Sequence, residues 1–241
     1  MKRNILTLII AVFALMQAAA QTYDNLWKQA DIIARKDQPR SEIGVMKKII
    51  SKASAAKDYG QLLAAEMRQM ILWKEISADS LMPNVERMEA EVLKVKDPAL
   101  KAVRYAVLGK VYSDMDEKKS EEFFKKALQQ PELLAKHTST EYVPLTLKGV
   151  DGSSFNNDLL HLIGFEADSK EAYHLMYTYY NKVGNRGAAC LCAYKLIEKY
   201  RQDDVREVKK SKYLHTIDSL IHVYQDIPEA GELAVEHFRF M

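Results

Sequence analysis

The strongest constraint on this chain is a recurring spacing of apolar residues. Ile43, Met46, Ile50 and Ala53 stand at i, i+3, i+7 and i+10, and Val85, Met88, Val92 and Val95 repeat the spacing. Leu214, Ile217, Ile221 and Tyr224 repeat it again. Such a set forms one stripe along a helix of 3.6 residues per turn, whereas a strand would scatter it over both faces. Lys, Glu, Gln and Arg fill the positions between; they favour helix and face water.

Turn residues mark where the stripes stop. Pro39, Pro83, Pro98, Pro131 and Pro228 each fall at or near a predicted helix start. Asp97-Pro98 is the clearest: the carboxylate can accept from a free first-turn N–H, and proline has no N–H to leave unpaired. Gly60, Gly149, Gly152 and Gly184 mark breaks. Nine Gly and six Pro in 241 residues are too few for the closely spaced turns of a β-sandwich. The pattern predicts helices near 23–36, 40–57, 60–77, 82–96, 98–114, 117–130, 155–164, 169–183, 186–201, 206–225 and 229–239. One stretch differs. From Tyr142 to Ser154 apolar and polar residues alternate and then turn, which predicts a short extended or hairpin segment near 141–153.

Short connections between successive helices favour antiparallel pairs. The expected fold is therefore all-α, with antiparallel helix pairs stacked as an α–α superhelix, in two halves, 21–136 and 137–241. Residues 102–131 resemble a tetratricopeptide unit. Leu108-Gly109-x-x-Tyr112 lies on the first helix, and Phe123-Phe124-Lys-Lys-Ala127-Leu128-x-x-Pro131 ends the second, with Ser120 as the small residue at their contact. Tyr180, Gly184, Ala189 and Ala193 make a weaker second copy.

The first twenty residues read as an export signal. Lys2 and Arg3 precede an apolar run from Ile5 to Met16, and Ala18-Ala19-Ala20 supplies small residues for cleavage between Ala20 and Gln21. The run is shorter than the roughly 20 apolar residues a membrane span takes, and no later segment comes closer. The chain is expected in the periplasm or cell envelope, without an integral membrane segment once the signal is removed. Two of the 35 basic residues, and none of the 33 acidic ones, lie in residues 1–20, so the remainder has no formal net charge. Neutrality argues against nucleic acid as a partner. Lys209-Lys210-Ser211-Lys212 reads as a solvated helix face. Cys190 and Cys192 sit two apart, pointing away from each other on a helix, so they read as small buried hydrophobes rather than a disulfide.

Catalytic signatures are missing. The chain has no His-Glu-x-x-His, phosphate loop, Gly-x-Ser-x-Gly or Gly-x-Gly-x-x-Gly. His215, Asp218 and His222 share one helix face and make the best metal candidate, but the two imidazoles lie about 10 Å apart along the axis, too far for one ion. Asp203-Asp204 and Glu121-Glu122 read as solvated surface. No catalytic residue, metal or cofactor is expected. Among the clustered tyrosines, Tyr173, Tyr177 and Tyr180 share a stripe and read as core, as do Trp27 and Trp73. Tyr179 points elsewhere and is the candidate interaction residue.

Five stretches resemble the N-terminal helical region of the large bacterial alpha-2-macroglobulin-like proteins. They are Tyr23-Asp-Asn-Leu-Trp-Lys-Gln, Gly60-Gln-Leu-Leu-Ala-Ala-Glu, Phe155-Asn-Asn-Asp-Leu-Leu-His-Leu-Ile-Gly-Phe-Glu, Gly184-Asn-Arg-Gly-Ala-Ala-Cys-Leu and Ile227-Pro-Glu-Ala-Gly-Glu-Leu-Ala. The resemblance runs over nearly the whole chain after residue 20, and over only a small opening part of that family's length. It implies the front of a longer exported protease trap. The family's β-sandwich domains, bait segment and Cys-x-Glu-Gln thioester have no counterpart here; Cys190-Leu-Cys-Ala is not that motif. The expected function is a non-catalytic exported scaffold with a protein partner, proteases being engaged through downstream domains. The alternative is a free-standing helical-repeat module that binds a peptide, protein or glycan, which an exposed tyrosine-lined groove would favour.

Overall fold

A computed structural model describes residues 23–77, 79, 81–146, 149–203 and 207–240. The expected cleavage site at Ala20 and Gln21 lies outside the described residues. The fold is all-α, built from antiparallel helix pairs. The first helix, α1, spans 23–34. It is followed by α2 (Pro39–Ala56), α3 (Tyr59–Ile76), α4 (Leu81–Val92), α5 (Pro98–Tyr112), α6 (Glu117–Ala127) and the single turn α7 (Pro131–Leu134). Then come α8 (Leu159–Ala167), α9 (Lys170–Lys182), α10 (Arg186–Asp203), α11 (Glu207–Tyr224) and α12 (Ala230–Phe240).

The chain forms two compact units. One holds the described residues up to Ala90 together with 142–146; the other holds 91–141 and the described residues from 149 onward. The division between these units falls after residue 90, within α4.

In the first unit α2 and α3 pair. Ile43, Val45, Met46, Ile49 and Ala53 pack with Leu62, Ala65 and Leu72, and Tyr23 and Ala30 of α1 join the same core. Lys57 takes a left-handed conformation to turn the chain, and Asp58 caps α3 by accepting from the Gln61 N–H. Two polar ties cross this core: Trp27 Nε1 donates to Gln61 Oε1 at 2.7 Å, and Arg68 reaches the buried Glu42 carboxylate at 2.7 Å. Gly60 lets 142–146 dock on α3, because a Cβ there would stand 2.2 Å from the Val143 carbonyl oxygen.

In the second unit α5 pairs with α6, α9 with α10, and α11 with α12. The α5–α6 contact shows why the tetratricopeptide-like residues are there. A Cβ on Gly109 would lie 2.8 Å from the Phe124 ring, so only glycine allows this approach. Ser120 Oγ donates to the Gly109 carbonyl at 2.8 Å, and Tyr112 stacks on Phe123 at 5.5 Å. Asp97, Asp116 and Ser169 cap α5, α6 and α9. At the far end, the buried Glu236 of α12 receives Arg201 of α10 at 2.7 Å and Arg239 at 3.1 Å. The Arg186 guanidinium of α10 grips Asp226 with two bonds and the Val223 carbonyl with a third.

The hairpin expected near 141–153 is not formed among the described residues. The segment is a series of turns, and only an isolated antiparallel bridge joins Thr138 to Asp158. Asp151, Asn156 and Asn157 take positive φ, which a paired strand cannot accommodate and which Asp and Asn tolerate better than other side chains. For the same reason α8 starts at Leu159, four residues later than predicted.

Candidate functional site: a tyrosine-lined groove beside a sealed polar cluster

An opening lies where α11 passes α9 and α10. It is a groove of about 510 Å³. Its floor is an i, i+3, i+4, i+7 stripe of α10: Ala193, Leu196, Ile197 and Tyr200. Tyr177 of α9 closes one side; Tyr213, Thr216 and Leu220 of α11 form the other, with Lys212 at the rim. Two hydroxyls in the walls are already engaged: Tyr213 donates to the Tyr200 carbonyl at 3.4 Å, and Thr216 donates to the Lys212 carbonyl at 3.0 Å. Lys170 stands 4.7 Å from the Tyr200 ring centre, a cation–π contact. Among the described residues, no acidic side chain lines the groove.

A second, closed feature lies among α8, α9 and the turn before α8. Asp158 caps α8 by accepting from the His161 N–H at 2.8 Å. Its carboxylate also receives the Tyr180 hydroxyl at 2.8 and 3.0 Å. Burial pushes the Asp158 carboxyl up to about 6, against these donors. His161 is fully buried, stacked on Phe155 at 4.1 Å and edged by Phe165 at 4.5 Å. Neither imidazole nitrogen makes a hydrogen bond of good geometry. Burial drives its pKa down to about 4, and the nearby Val150 backbone offsets this only in part. Tyr180 and Tyr173 are raised by burial and by their carboxylate partners, Asp158 and Asp168. No hydrogen bond joins the Asp158 carboxylate to the imidazole, and the rings shut both away from solvent. The cluster holds α8 and α9 in register and offers no route for a substrate.

The residues singled out from sequence fall as follows. Tyr173 and Tyr180 are core, but Tyr177 is only half-buried and lines the groove, which corrects its assignment to the core. Tyr179 is half-buried, its ring edge-on to Tyr180 at 5.2 Å, with its hydroxyl raised by burial and by Asp158 and Glu132. His215 and His222 are exposed on α11, and Asp218 turns to His237 of α12 at 3.0 Å. Among the described residues no three His, Cys, Asp or Glu side chains gather as a metal site. Cys190 and Cys192 are buried and unbonded, and burial raises both thiols, Cys190 to about 12. Nor is any helix among the described residues long and apolar enough to cross a membrane.

Sequence reasoning missed the Asp158–His161–Tyr180 cluster. The available signal was Asn156-Asn157-Asp158, three residues prone to turns and caps immediately before an apolar run. No protein-family model, curated protein or solved structure matches the chain.

Proposed function

We propose that this chain is a non-catalytic helical interaction scaffold of the cell envelope, built like the N-terminal region of a bacterial alpha-2-macroglobulin-like protein. The observation that carries the reading is the sealing of the acid–base groups. Asp158, His161 and Tyr180 are buried among aromatic rings, while the groove between α9, α10 and α11 is open. Chemistry needs a reachable group, and binding needs a shaped surface. The α5–α6 contact, with Gly109 against Phe124 and Ser120 bonded across it, supports a tetratricopeptide-like assignment for that pair.

The test is protease inhibition. The purified chain, mixed with trypsin, is expected to slow neither casein digestion nor hydrolysis of a small chromogenic substrate. Protection of casein while the small substrate is still cleaved would mean that this chain traps proteases itself, and would overturn the reading. The reading frame beyond Met241 is a second check: β-rich macroglobulin-like sequence is expected for a module of that family. Unrelated sequence after a stop codon would favour the free-standing binding module.

A further inference from the structure

We propose that the groove between α9, α10 and α11 binds a saturated fatty acid, its alkyl chain lying along Leu196, Ile197 and the rings of Tyr177, Tyr200 and Tyr213, and its carboxylate meeting Lys212. The inference concerns the groove alone and stands whether or not the chain is a macroglobulin-type module.

Three properties of the groove select this chemistry. Its volume, about 510 Å³, lies within the range of small-molecule sites, roughly 300–1,000 Å³. Its lining is mainly aromatic rings and aliphatic carbons, and two of its hydroxyls already donate to internal carbonyls: Tyr213 to the Tyr200 carbonyl and Thr216 to the Lys212 carbonyl. A glycan would bury hydroxyls against walls with few partners to give, and an extended peptide would bury unpaired backbone groups. An alkyl chain has none to satisfy. The charge at the rim then sets the headgroup. Among the described residues, Lys212 is exposed, has no acidic partner, and lines a groove with no carboxylate. An anion is attracted there and a quaternary ammonium repelled.

The experiment is titration calorimetry of the full purified chain with octanoate, decanoate and dodecanoate below their micelle concentrations. Dodecyl alcohol and dodecyltrimethylammonium are the headgroup controls. One saturable site is expected, tightening about fourfold per added methylene until the groove is full. Dodecanoate should exceed the alcohol by about fivefold, and Lys212→Gln should bring the two level, as expected for one partly solvated charge pair. Thr216→Trp, an exposed position that puts an indole into the groove, should lower dodecanoate affinity at least tenfold while leaving the circular dichroism spectrum unchanged. Absence of a saturable dodecanoate site overturns the proposal. So does binding indifferent to Thr216→Trp, or preference for the ammonium. A self-associated chain that Thr216→Trp turns monomeric would assign the groove to a second copy and likewise overturn it.

Discussion

Replacing Asp158 by Asn is expected to uncover a pH dependence that the native chain conceals. The Asp158 carboxyl is raised from 3.8 to about 6. The folded chain therefore keeps a proton that the unfolded chain releases between about pH 4 and 6. The stability this contributes is present below about pH 4 and lost as pH rises to 6. At about 1.4 kcal/mol per pH unit, it amounts to about 3 kcal/mol. His161 works in the opposite direction. Its pKa falls from 6.5 to about 4, so the unfolded chain takes up a proton that the folded chain refuses. Its contribution is present above about pH 6.5 and lost as pH falls to 4, again about 3 kcal/mol. The two windows overlap and nearly cancel. Asp158→Asn keeps an oxygen to cap α8 and meet Tyr180 but cannot titrate. Relative to the native chain, its stability should rise by about 3 kcal/mol from pH 4 to 6.5, through His161 alone. His161→Leu should show the reverse, losing about 3 kcal/mol over the same range through Asp158. Urea unfolding followed by far-ultraviolet circular dichroism at half-unit pH steps resolves shifts of this size. Two variants whose profiles both run parallel to the native one would refute the argument, because the buried pair would then not be titrating as its environment demands.

Two further outcomes follow from packing. Ser120→Ala, which removes the bond to the Gly109 carbonyl, should cost about 1 kcal/mol, and Gly109→Val, which drives a branched side chain into the Phe124 ring, about 2–3 kcal/mol. Both are measurable by urea unfolding, and a Gly109→Val chain of native stability would contradict the close α5–α6 approach. Cys190 and Cys192 should resist an aromatic disulfide reagent at pH 8 in the folded chain and react fully in concentrated guanidinium, since buried thiols yield little thiolate. Rapid labelling of the native chain would contradict their burial.

The helices were legible because each stripe is local. Met46, Ala53, Val85, Met88, Val92 and Ile217 are buried as their spacing predicts, and Asp97-Pro98 opens α5 with the expected cap. Val95 lies beyond the end of α4, showing that a stripe can outrun its helix. The site was harder to read because its parts meet only in three dimensions. Tyr177 belongs to the same i, i+3, i+4, i+7 set as Tyr173 and Tyr180, so periodicity alone placed it in the core. Whether that stripe is covered along its whole length depends on how closely α11 approaches α9 and α10, and no local pattern carries that distance. Asp158, His161 and Tyr180 were missed for a related reason. A single His or Asp beside an apolar run says nothing of partners 22 residues away.

The Arg186 grip has a mechanical consequence. One guanidinium at the start of α10 holds both the Asp226 side chain and the Val223 carbonyl, at the end of α11 and the turn beyond it. It works as a staple: α11 cannot slide along α10 without breaking all three bonds at once, so this one side chain fixes the register of the two helices.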